Sequence, residues 1–123
     1  MLIIQPRLVQ GLQHKLLDLA ARRWNSHQPS ILDLQQCRLD DNAAAPIWTW
    51  RQVSRLDLQR NNLRVMPELD MPALLELNIS QNWLRQLPRH LHLPKLIRLQ
   101  LYANHLTYLP DLNAPALERW TNT

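Results

Sequence analysis

The sequence predicts an α/β fold in which short parallel strands stack in chain order next to an N-terminal helix. Three observations predict it. A frame of apolar positions closed by an asparagine returns at a nearly constant step, as in Val53-Ser54-Arg55-Leu56-Asp57-Leu58-Gln59-Arg60-Asn61-Asn62-Leu63. The chain of 123 residues has one Gly and nine Pro, too little glycine for a fold of tight hairpins and enough proline for extended connections. The apolar residues that precede the frame fall at helical spacing.

Residues 1–28 are expected to form a helical cap. From Pro6 to about Trp24, Leu8, Leu12, Leu16 and Leu19 fall at i, i+4, i+8 and i+11, and Val9 and Ala20 widen the stripe. Gln13, Lys15, Asp18 and Arg22 occupy the other side. Pro6 suits the first turn, where its missing N–H costs nothing, and the residues from Asn25 to Pro29 end the helix with turn chemistry. A stack of repeats leaves an apolar edge at its first member, and this helix has an apolar stripe to cover it.

Residues 29–116 hold four copies of the frame. After the copy above come Leu74-Leu77-Ile79-Asn82-Leu84 and Leu96-Leu99-Leu101-Asn104-Leu106, and before it a degraded one, Leu32-Leu34-Cys37-Leu39. The asparagine positions are separated by steps of 24, 21 and 22 residues. Each apolar-x-apolar core gives a short strand with alternate side chains pointing inward, and parallel stacking forces the chain to return outside the sheet. The returns, such as Val65-Met66-Pro67-Glu68-Leu69, are short and carry proline, which predicts extended or polyproline-like backs with at most a short turn. The first copy has a longer insert, Asp40 to Trp50, expected to form a helical turn around Ala43-Ala44-Ala45 with Trp48 and Trp50 beneath it. Residues 117–123 read as a truncated fifth repeat, with Leu117 and Trp120 in its first apolar positions. No amphipathic segment follows, so the polar tail and Trp120 blunt this edge, another subunit covers it, or the chain is a piece of a longer one. Weak homodimerisation through this C-terminal edge is the corresponding expectation.

The frame L-x-x-L-x-L-x-x-N-x-L, with turns such as Met66-Pro67-Glu68-Leu69 and Leu109-Pro110-Asp111-Leu112 leading into the next copy, resembles the short-repeat bacterial leucine-rich-repeat proteins. Type III secreted effectors belong to that family and are similar in having an N-terminal helical cap. The resemblance covers roughly Ser30 to Trp120. It implies a leucine-rich-repeat solenoid whose short parallel strands line a concave face, a scaffold for protein binding with no chemistry in the repeats. The chain departs from it in having few repeats and nothing like the ubiquitin-ligase domain some relatives carry.

Composition narrows the function classes. The formal net charge of +4 comes from 12 Arg and 2 Lys against 10 acids, a mildly basic balance without the basic block of a nucleic-acid tail. A lone Cys37 excludes an intramolecular disulfide framework. The apolar run at Leu2-Ile3-Ile4 is too short for a secretory signal and no stretch reaches membrane-spanning length, which predicts a cytoplasmic location in the producing cell and no membrane partner. Specialised secretion stays open, because its addresses can lack such a run. His90-x-His92 has no further ligand at metal spacing, and no Ser-His-Asp signature, phosphate loop or carboxylate pair is recognisable. No catalytic residue, metal or other cofactor is therefore expected.

The candidate site comes from the outward sheet positions. Column by column they read Ile31, Arg55, Glu76, Arg98, Arg119; then Asp33, Asp57, Asn78, Gln100, Thr121; then Gln35, Gln59, Ser80, Tyr102. Neighbouring strands lie about 4.8 Å apart, so Arg55, Glu76 and Arg98 can form a lateral charge ladder. Asp33 beside Asp57 places like charges on adjacent strands, to be neutralised by Arg55 or by a basic group on a partner. Asn61, Asn82 and Asn104, and Cys37 in the same slot, read as structural. Trp83 follows a frame asparagine, in a column otherwise holding Arg38, Asn62 and His105, and reads either as a lid over the turns or as an interaction anchor. The expected partner-binding residues are Asp33, Arg55, Asp57, Glu76, Asn78, Trp83, Arg98, Tyr102 and His105. The function expected is non-catalytic binding of a protein through the concave face and the Trp83 edge. A secreted effector or a fragment of a larger repeat protein is the nearest alternative. Binding of nucleic acid or an anionic surface through the Arg excess is disfavoured, because Asp33, Asp57 and Glu76 interrupt the positive residues.

Overall fold

The computed structural model describes residues 2–4, 30–89, 91–107 and 119–121. Their main sheet has six strands, β1 (Leu2–Ile4), β2 (Ser30–Asp33), β3 (Val53–Asp57), β5 (Glu76–Asn78), β7 (Arg98–Gln100) and β8 (Arg119–Thr121). All pair in parallel and follow one another in the sheet as they do in the chain. Two strands of the return segments, β4 (Leu69–Asp70) and β6 (Leu91–His92), form a separate parallel pair. The only helices among the described residues are the short α1 (Asp41–Ala44) and the 3-10 segment Ala45–Thr49 that continues it. The fold is α/β with parallel sheets and little helix, and none of the described helices is long and apolar enough to cross a membrane.

Alternation along each strand sets the layering. Leu32, Leu56, Leu77 and Leu99 stand opposite one another, and each is 1% exposed or less. Leu34, Leu58, Ile79 and Leu101, two residues further along each strand path, are fully buried. The residues between them face the other way, and the register joins Ile31, Arg55, Glu76, Arg98 and Arg119 into one column and Asp33, Asp57, Asn78, Gln100 and Thr121 into the next. These are the two columns the frame predicts, because a period of two leaves no freedom once the inward leucines are known. Ser80 departs from the expectation for the third column. It is fully buried rather than outward and open.

The asparagines hold successive strands together beyond the sheet. Asn61 Oδ1 accepts from the backbone N–H of Cys37 and of Leu39, and its Nδ2 donates to the carbonyls of Leu34 and Leu58. Asn82 accepts from Leu63 N and donates to Leu58, Ile79 and Ser80, and Asn104 accepts from Leu84 N and donates to Ile79 and Leu101. Each amide thus serves its own turn and the previous one, using both donor and acceptor in a place where backbone groups have no water. The residue just before each frame position, Gln36, Arg60, Gln81 and Ala103, has a φ between 52 and 60°. A left-handed residue costs a non-glycine about 1–2 kcal/mol, and here it turns the chain so that the amide points inward.

The insert after β2 folds as expected. Asp40 caps α1 by accepting from Ala43 N at 2.8 Å, Ala44 and Ile47 are fully buried, Trp50 is 5% exposed, and Trp48 is partly buried against the same core. Asp41 Oδ1 reaches across to accept from Arg64 N at 3.0 Å and Val65 N at 3.1 Å, tying the helix to the next return segment.

Strand β1 adds an element to the expectation for residues 1–28, ahead of the helix expected from Pro6. Leu2, Ile3 and Ile4, placed there within a helical cap, form a sixth strand in register with Ser30, Ile31 and Leu32. A run of Leu and two β-branched Ile fits a pleated strand better than a helix end. The helix expected from Pro6 to Trp24 lies outside the described residues. At the other end Arg119–Thr121 pairs with β7 in the expected register, while the side chain of Trp120, on which the expected homodimer depends, lies outside them.

Candidate functional site

The outward face of the main sheet carries an open depression of about 280 Å³, lined by side chains of the first two columns above a floor of Leu32, Leu56 and Leu77. The charge ladder is present across it. Glu76 sits 3.5 Å from the Arg55 Nε and 3.0 Å from an Arg98 guanidinium nitrogen, so one half-buried carboxylate bridges two exposed guanidiniums. Exposed pairs of this kind contribute at most about 1 kcal/mol. Their effect on the surface is larger than on stability, because they fix three long side chains in place.

Asp33 and Asp57 stand opposite each other, as the repeat frame requires. Of the two neutralising groups expected, Arg55 or a basic group on a partner, Arg55 has its ion pair with Glu76. Instead each carboxylate serves its own backbone. Asp33 Oδ1 accepts from Gln35 N, and Asp57 accepts from the backbone N–H and the side-chain amide of Gln59. Asn78 does the same in the next strand, accepting from Ser80 N at 3.0 Å. The acidic column is therefore a set of turn-closing side chains that also faces outward.

The ionisation of Asp57 still bears a cost. Burial pushes its carboxyl above the ordinary value of 3.8, the Gln59 hydrogen bonds pull it back, and the Asp33 charge adds to the rise. A carboxyl raised on folding favours the folded state while protonated, and that contribution is lost as pH rises through the folded-state value. Asp57→Asn keeps the acceptor for Gln59 N, as Asn78 shows, and removes the charge. Its melting temperature should exceed that of the wild type at neutral pH, and the difference should vanish on acidification below the ordinary carboxyl range. A D57N protein that melts lower than wild type at neutral pH would show that the hydrogen bond to the Gln59 side chain outweighs the burial of charge.

A second surface lies past the frame asparagines. Trp83 is 54% exposed, and its ring stacks on that of His105, centroids 5.2 Å apart and planes 18° from parallel. The backbone beneath is fixed, because Trp83 N donates to Leu63 O and His105 N to Leu84 O, each bond crossing to the preceding turn. A groove of about 1060 Å³ beside them is lined by Arg64, Val65, Trp83, Arg85, Gln86, His105 and Thr107. Sequence reasoning picked out Trp83 and His105 and missed Arg64, Val65 and Arg85. The signal was available, since Arg64 and Arg85 both lie three residues after a frame asparagine and so occupy one column of neighbouring turns.

The expected binding residues fall in two groups. Asp33, Arg55, Asp57, Glu76, Asn78 and Arg98 share the sheet face, and Trp83 and His105 share the edge groove. Tyr102, half-buried, continues from β7, and its carbonyl accepts from Gln81 N. Cys37 is half-buried in its asparagine slot, with Sγ donating to Gln35 O at 3.0 Å. Among the described residues no group of three or more His, Cys, Asp or Glu side chains is placed to hold a metal. His92 is exposed in β6, and His90 lies outside the described residues. No family model matches this chain, and neither does any characterised protein or solved structure with which it was compared.

Proposed function

We propose that the chain is a leucine-rich-repeat solenoid that binds a protein partner, without catalysis, through its concave sheet face and the Trp83 edge. Support for the repeat architecture comes from strands that follow chain order at a step of 21 to 24 residues from β2 to β8, and from the asparagine at the same place in three successive turns. The observation that carries the binding role is the outward pair of columns. Four registered strands present polar and charged side chains at fixed spacing over a buried leucine layer, with the Arg55–Glu76–Arg98 ladder holding the longest of them. Such a surface loses little side-chain freedom when a partner docks, which is where much of the cost of association lies. The acids in it speak against a phosphate backbone as the ligand of this face.

The test begins with a photo-crosslinking residue at position 78, to identify what contacts the face in producing cells. Affinity for that partner is then measured with a variant in which Arg55, Asp57, Glu76 and Arg98 are all alanine. Binding should weaken by about tenfold or more with the melting transition retained. Unchanged affinity in a folded quadruple variant would remove the sheet face from the proposal.

A further inference from the structure

Resting on that reading, and on its Trp83 edge in particular, we propose that the groove beside Trp83 takes an extended acidic segment of a partner protein, with an apolar side chain of that segment seated against Trp83 and Val65. Val65 and Trp83, 63% and 54% exposed, are the large apolar side chains left open among the described residues, and both line this one groove. The indole is already ordered by its stack on His105, so little freedom is left to lose when a ligand covers the rest of it.

Charge identifies the ligand. Arg64 and Arg85 line the same groove, both exposed, and no acidic residue lines it. The ion pairs among the described residues join Arg51 to Asp70 and Glu76 to Arg55 and Arg98, so neither groove guanidinium is in one. Asp41 is the acid held against this segment, and its Oδ1 is committed to the backbone N–H groups of Arg64 and Val65. Two guanidiniums on successive turns, each with a planar fork of donors, suit the carboxylates of Asp or Glu side chains.

A nucleic acid fits less well. Val65 offers a base no ring to stack on, and one side of the Trp83 ring is taken by His105. Two guanidiniums are also few for a binding mode that rests on neutralising many phosphates.

Random linear peptides displayed on phage, selected on the immobilised full chain at low salt, supply the probe. Enriched peptides are synthesised and titrated by fluorescence anisotropy against wild type, W83A, R64E/R85E and the sheet-face quadruple variant, with labelled oligothymidylate in parallel. Circular dichroism melts check each fold, and R64Q/R85Q replaces the double glutamate variant if that one does not fold. The expected result is enrichment of sequences combining Asp or Glu with a large apolar residue. Their binding should fall about tenfold or more in W83A and in R64E/R85E, and hold in the quadruple variant. Enriched sequences without acids, or binding indifferent to both edge variants, would overturn the inference. So would oligothymidylate that binds as tightly as the peptides and is lost in the same variants. Peptides lost only in the quadruple variant would sink this inference while leaving the sheet-face reading standing, and a selection that enriches nothing would count against both.

Discussion

Asn82→Ala should lower stability by about 2–4 kcal/mol, close to the most that one polar side chain contributes in a small domain. Asn82 is 4% exposed, and its Oδ1 is the acceptor for Leu63 N. The three carbonyls it serves each keep another donor. Leu58 O also takes Asn61 Nδ2, Ile79 O takes Asn104 Nδ2, and Ser80 O takes Arg60 N. The stranded group is thus the buried N–H of Leu63, worth about 1–3 kcal/mol, with the small void adding the rest. Asn82→Asp separates the causes. It keeps shape and acceptor but turns the donor into an oxygen facing three carbonyls, so at neutral pH it should be no more stable than N82A. Urea denaturation reads both, and an N82D midpoint equal to wild type would show that the donor half of the amide is dispensable.

Leu77→Ala should cost about 2–5 kcal/mol, out of the 5–15 kcal/mol a domain of this kind has in total. Leu77 lies between Leu56 and Leu99 in the buried column and is 1% exposed, so strands on both sides prevent collapse around the missing atoms. Val65→Ala is the matched control. It removes methyl groups from a residue 63% exposed, and should shift stability by no more than about 0.5 kcal/mol. Equal urea midpoints for L77A and wild type would mean that the inward column is misassigned.

How far the fold could be read from the chain depended on how much each feature repeats. The register was legible because Leu56, Leu77 and Leu99 recur in one frame, and a strand offers only two phases. The ladder through Glu76 followed from that register alone. Strand β1 was not legible, since Leu2-Ile3-Ile4 is followed by no asparagine and no second leucine pair to mark it as a copy. The burial of Ser80 was missed because strand alternation gives the direction of a side chain and not the depth at which it lies. Nor could the turn-closing role of Asp33 and Asp57 be read, because a carboxylate that binds its own backbone two residues on looks, in sequence, like any exposed acid. The Trp83–His105 stack was half visible: the column put the rings on neighbouring turns, and only side-chain geometry brought their faces together.

The asparagine bonds also separate the two sides of the molecule as substrates for change. The columns of the face line up although the step along the chain is 24 residues from Ile31 to Arg55, 21 from Arg55 to Glu76, and 22 from Glu76 to Arg98. One return contains a helix and a 3-10 segment, and the next two contribute two-residue strands. Phase is carried by the inward leucines and the amide that follows them, so chain added or removed behind the sheet leaves every outward residue opposite the same neighbour. Insertions on the back can alter what is built there without rewriting the face, and substitutions in the column of Ile31, Arg55, Glu76 and Arg98 can alter its chemistry without touching the turn-closing bonds of Asp33, Asp57 and Asn78. A lineage of such chains could exchange partners one column at a time.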